Sequence, residues 1–187
     1  GAAYSNAERR QQQRAAEQQI ALAEMIRGAH GVSSVSWFLF PDNHGGAADW
    51  MRKLQSDPNA YFPFTVECVS GSCAQPMSVG NVLHLYGQYD IGSVEVIAAD
   101  GLSYTFLALA DHALAAGGMV TFSMSEEAFG NGSDVFLTIR ATQASSGLEA
   151  VLPEFASEGA AKLTWSMMAA AFRCEHAYVG QEQFRRC

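Results

Sequence analysis

Val120, Phe122 and Met124 alternate with Thr121 and Ser123, and Val135, Leu137 and Ile139 alternate with Phe136, Thr138 and Arg140. A two-residue period predicts strands with one buried and one partly polar face, the pattern of an antiparallel sheet. Further strands are predicted over Val32–Phe40, which is rich in β-branched and aromatic residues, and over Tyr61–Val69, Val82–Tyr89, Ser93–Ala98 and Leu102–Leu109. The two alternating runs complete the set as Met119–Met124 and Val135–Ala141. Asp100-Gly101, Gly117-Gly118 and Asn131-Gly132 separate strands as turn pairs. Pro63 favours an edge position for its strand, because proline brings no N–H to a central ladder.

The spacing changes to helical in three places. Residues 6–27 combine Asn6 as an N-cap with a run of Ala, Gln, Glu and Arg, and Gly28 and Gly31 end it. Its first half is polar all round, and Ile20, Leu22, Met25 and Ile26 concentrate the apolar surface in the second half. Ala47–Gln55 reads as a short helix with Trp50, Met51 and Leu54 on one side, ended by Asp57-Pro58. After a break at Ala144–Gly147, a helical stretch runs from about Leu148 to Tyr178, with Pro153 near its start. Trp165, Met168, Ala169 and Phe172 give it one bulky face. The expected fold class is α+β, a curved antiparallel β-sheet of six or seven strands around a long C-terminal helix. Residues 1–31 form a partly exposed N-terminal helix ahead of an α+β domain over 32–187.

Composition bounds the function. The 187 residues are 49% hydrophobic and only 16% charged, so the chain can bury a core and is not disordered as a whole. The net charge of −8, with 11 Lys and Arg spread thinly, lacks the basic surface that nucleic acid requires. No apolar run reaches the roughly 20 residues of a transmembrane helix. The polar first helix is the candidate surface for a protein partner.

Cys68, Cys73, Cys174 and Cys187 allow three disulfide connectivities. Short separation favours Cys68 with Cys73, across a Ser-Gly turn, and Cys174 with Cys187, which would tie the polar tail to the last helix. Zinc would need closer ligand spacing, so no metal is expected. Disulfides imply an oxidising compartment, secreted or periplasmic. The alternative is a cytoplasmic protein with four reduced, buried thiols.

The order helix, strand, short helix, six strands, long helix resembles the START-like helix-grip superfamily, in which a curved antiparallel sheet wraps a C-terminal helix and encloses an apolar cavity. From Gln88 to Phe172 the chain is similar to the uncharacterised bacterial family DUF1990. The likeness rests on Phe106, Leu109, His112, Ala116-Gly117, Phe122, Leu137-Thr138-Ile139 and the helix around Trp165. It implies a fold and a pocket but no activity.

Candidate chemistry is sparse. Asp111-His112 would pair a base with a carboxylate if a turn brings the two together. Otherwise Asp111 caps the turn and His112 packs on the sheet. His84 shares a strand face with Val82 and Tyr86 and could bond a ligand. Glu67 and Glu95 are expected to point outward, because an inward carboxylate is costly unless paired. No phosphate-binding loop, nucleophile elbow or zinc-protease motif is present. The leading reading is the binding of an apolar or amphipathic, lipid-like small molecule between sheet and C-terminal helix, without a cofactor. Its expected ligand-binding residues are His84, Tyr86, His112, Phe122, Trp165 and Met168. The alternatives are an enzyme on the same scaffold, a cyclase or hydrolase with a His general base, and a protein–protein module of toxin or antitoxin type.

Overall fold

The computed structural model describes residues 32–71, 73, 76–87, 90–112, 117–142 and 158–187. Their elements run β1 (Val32–Pro41), α1 (Ala47–Ser56), β2 (Thr65–Ser70), β3 (Val82–Tyr86), β4 (Asp90–Ala99), β5 (Ser103–Ala108), β6 (Met119–Phe129), β7 (Gly132–Thr142) and α2 (Glu158–Ala177). The expected helix over 6–27, the rest of segment 1–31 and the start of the last helical stretch at Leu148, with Pro153, lie outside the described residues.

The seven strands form one antiparallel sheet in the order β1-β7-β6-β5-β4-β3-β2. Strands β2 to β7 meander, and β1 returns to pair with β7, so β1 and β2 are the two edges. Register irregularities between Phe38 and Phe40 and between Val96 and Ala98 help to bend the sheet. Both edges receive a polar side chain. Asn59 donates to Val66 O (3.0 Å) and accepts from Val66 N (2.7 Å), imitating a further strand beside β2. Arg173 of α2 donates to Phe38 O on β1.

Two departures from the sequence reading have physical causes. The strand composition of Tyr61–Phe64 places this segment at the start of β2, yet the strand begins at Thr65. Tyr61 and Phe62 instead turn into the core, where Tyr61 stacks on Phe172 with ring centres 4.2 Å apart. At the other hairpin, β6 and β7 run several residues beyond their apolar alternation, and Phe129 pairs with Gly132. The turn therefore centres on Gly130 and Asn131 rather than on Asn131-Gly132, and Gly130 supplies the positive φ of +60°. These extensions are solvated and carry no hydrophobic period from which to read them.

Helix α1 closes one end of the sheet. Its Trp50, Met51 and Leu54 are wholly buried. Asp49 accepts from Gly46 N (2.9 Å) at its start, and Glu126, near the end of β6, accepts from Ala47 N (3.2 Å). At its last turn Gln55 donates to Asp100 O (2.9 Å) and Ser103 O (3.2 Å) of the β4–β5 turn. The β3–β4 and β5–β6 connections leave from the opposite end.

Candidate functional site

Helix α2 lays Met168, Ala169 and Phe172 on the sheet with no exposure, and Trp165 beside them is half-buried. The rings facing this helix form a connected cluster. Phe122 lies 5.3 Å from Trp165, 4.9 Å from Phe62 and 5.5 Å from Phe106, centre to centre. Phe64 lies 6.1 Å from Trp165. Tyr104 follows on the same face of β5, 4.7 Å from Phe106 and wholly buried. Its hydroxyl has no hydrogen-bond partner among the described residues, and burial pushes its pKa upward. The indole N–H of Trp50 is likewise buried and unpartnered there.

The structure therefore brings Phe122, Trp165 and Met168 together in the interior. It does not bring His84 and Tyr86 to them. Strand β3 points Leu83 and Leu85 into the core, so His84 and Tyr86 lie on its outer face. His112 lies in the β5–β6 connection, where its N–H donates to Leu109 O (3.0 Å). Burial lowers the pKa of its imidazole against the neighbouring charge of Asp111.

The polar residues of the outer face do converge. His84 Nε2 is 2.5 Å from Asp90 Oδ1, and Nδ1 is 3.1 Å from Ser93 Oγ. The Tyr86 ring lies 4.5 Å from the imidazole. Asp111 turns to β4: Ser93 N donates to its Oδ1 (3.1 Å) and Ser93 Oγ to its Oδ2 (2.7 Å). The bond from the Ser93 hydroxyl holds the Asp111 carboxyl below its ordinary pKa. Neither Ser93 nor Asp90 has a motif around it. Their roles follow from the register that sets His84 opposite Ser93.

At the far end of α2, His176 stacks on Phe40 with ring centres 4.0 Å apart, and its Nε2 is 2.9 Å from Asn43 Oδ1. Burial, and then His44 nearby, lower its pKa. Both disulfides form as short separation predicts. Cys68 bonds Cys73 and Cys174 bonds Cys187, with Cα atoms 5.8 and 5.7 Å apart.

A curved antiparallel sheet gripping one C-terminal helix decides the architecture. This is a helix-grip fold. Two solved structures share it at low identity. Protein Ms6760 from Mycobacterium smegmatis aligns with a TM-score of 0.50 and 13% identity over 79% of this chain and 92% of its own. XoxI from Bacillus cereus aligns with a TM-score of 0.50 and 17% identity over 81% of this chain and 98% of its own. Ara h 8.0201 aligns at a TM-score of 0.46 and 16% identity, over 76% and 96% of the two chains. No family model matches the sequence, and no curated protein matches it.

Proposed function

We propose that this helix-grip protein binds an apolar or amphipathic small molecule between the sheet and α2. The observation that carries the reading is Tyr104, a wholly buried phenol among Phe106 and its neighbours whose hydroxyl lacks a partner among the described residues. A buried polar group left unpaired costs about 1–3 kcal/mol, which an acceptor oxygen on an otherwise apolar ligand would offset. Phe122, Trp165 and Met168 are the apolar contacts of this reading, and Tyr104 is its polar anchor. The two disulfides support a secreted or periplasmic site of action.

Native mass spectrometry of the purified protein, paired with titration of an amphipathic fluorescent probe such as anilinonaphthalene sulfonate, tests the proposal. Saturable probe binding in the micromolar range or tighter, about −8 kcal/mol, is expected. Tyr104→Phe should weaken the binding of probes that carry an acceptor and leave purely apolar probes unaffected. A protein that carries no small molecule and binds no probe saturably would overturn it.

A further inference from the structure

Asp90, His84, Ser93 and Asp111 form a continuous chain of hydrogen bonds on the outer face of β3 and β4, at the end of the sheet away from α1. A serine hydroxyl has one proton, and Ser93 gives it to Asp111 Oδ2 at 2.7 Å. His84 Nδ1, 3.1 Å from the same oxygen, must then be the donor of their contact. Nε2, 2.5 Å from a carboxylate oxygen of Asp90, is the donor of the other. Only the imidazolium carries a proton on both nitrogens.

We propose that His84 is a proton sensor that sets, through Ser93, how firmly Asp111 holds the β5–β6 connection on β4. When Nδ1 loses its proton it becomes an acceptor facing Ser93. The hydroxyl then has two acceptors and one proton, so its bond to Asp111 weakens. The attraction between the imidazolium and Asp111 disappears in the same step. The latch is firm on the acid side of the His84 titration and loose on the alkaline side.

The local packing makes the latch consequential. The backbone of Asp111 and His112 rests directly on Gly92, whose φ is +109° and where a Cβ would fall 2.4 Å from Asp111 O. Besides the Asp111 carboxylate, Leu109 N holds it to Ser93 O (2.9 Å). Among the described residues, the charged and titratable groups around His84 are Glu67, paired across on β2, Tyr86 on β3, Asp90 and Glu95 on β4, and Asp111 with His112 on the connection. No Lys or Arg occurs between Lys53 and Arg140. His84 and His112 are thus the only histidines of that span and its only side chains able to carry a positive charge, and the bond chain passes through His84.

The test is an NMR titration of the whole protein from about pH 5 to 8.5, the range in which histidine changes charge. The amide signals of Ser93, Leu109 and His112 should share the midpoint of the His84 ring. Hydrogen exchange at Leu109 and Gly117, corrected for its intrinsic pH dependence, should rise above that midpoint by about fivefold or more, the low end of site-to-site coupling. In Ser93→Ala, His84 should still titrate while the loop amides no longer follow it. In His112→Gln the coupling should persist. Loop amides that ignore His84 in the unmutated protein, that follow the His112 ring instead, or that still follow His84 in Ser93→Ala would overturn the proposal. The unmutated protein decides alone if Ser93→Ala fails to fold.

Discussion

Trp165 of α2 meets Phe122 of β6 edge to face, with ring centres 5.3 Å apart and planes at 72°. This contact joins the helix to the middle of the sheet. One and two turns further along the same stripe, Met168 and Phe172 are wholly buried, and Phe172 lies between Tyr61 and Trp50. Phe172→Ala should therefore destabilise the fold by about 3–5 kcal/mol, the range for truncating a large core ring. Trp165→Ala should cost less, because that ring is only half-buried. Urea denaturation of the two variants side by side checks the order, and an equal or reversed ranking would contradict the packing.

Asn59 occupies both backbone hydrogen-bonding groups of Val66 on an edge strand. Asn59→Ala would leave these groups to water or to another chain. A loss of about 1–3 kcal/mol is expected, together with increased self-association through the freed edge. Thermal melts combined with light scattering across a concentration series measure both effects.

Partial burial works against the charge of Asp100, but hydrogen bonds from Leu102 N, Ser103 Oγ and Ser103 N outweigh it and hold the carboxyl below its usual range. A depressed carboxyl stabilises the fold above its unfolded pKa, near 4, and that contribution is lost as pH falls through the lower folded value. Asp100→Ala should lower the urea midpoint at pH 7 and flatten its decline below about pH 4. A variant as acid-sensitive as the unmutated protein would rule out this role for the turn.

Alkylation without reductant should label no cysteine, because Cys68 bonds Cys73 and Cys174 bonds Cys187. Replacing Cys187 by Ser should cost about 3 kcal/mol, and replacing Cys73 about 2 kcal/mol, by the loop-entropy model. The first variant should release the tail that Arg185 also holds through Glu175 (3.2 Å). Proteolysis near Gly180 reports that release.

The strands were legible wherever one face is apolar and the other polar, as over Met119–Met124 and Val135–Ala141. Legibility failed where the chain left that rule. Tyr61–Phe64 has strand composition, but its rings fill the interior instead of alternating across a sheet. The candidate site divided in the same way. Trp165, Met168 and Phe122 were found through helical and strand periods, and they meet. His84 and Tyr86 were placed by type and not by face, and one residue of register separates the inner surface from the outer.

Local order along the chain determined the element sequence over the described residues, the stripe on α2 and the two cysteine pairings, because each depends on residues at most 13 positions apart or on the local period. The tertiary structure alone decided that Asp111 serves Ser93, that Glu126 caps α1, and that Tyr104 is buried with its hydroxyl unpaired among the described residues. Those relationships link residues 18 to 79 positions apart in sequence, or depend on burial from several elements at once. Strand register and helix docking set them, and both are minima of the whole packed sheet that no short window of sequence contains.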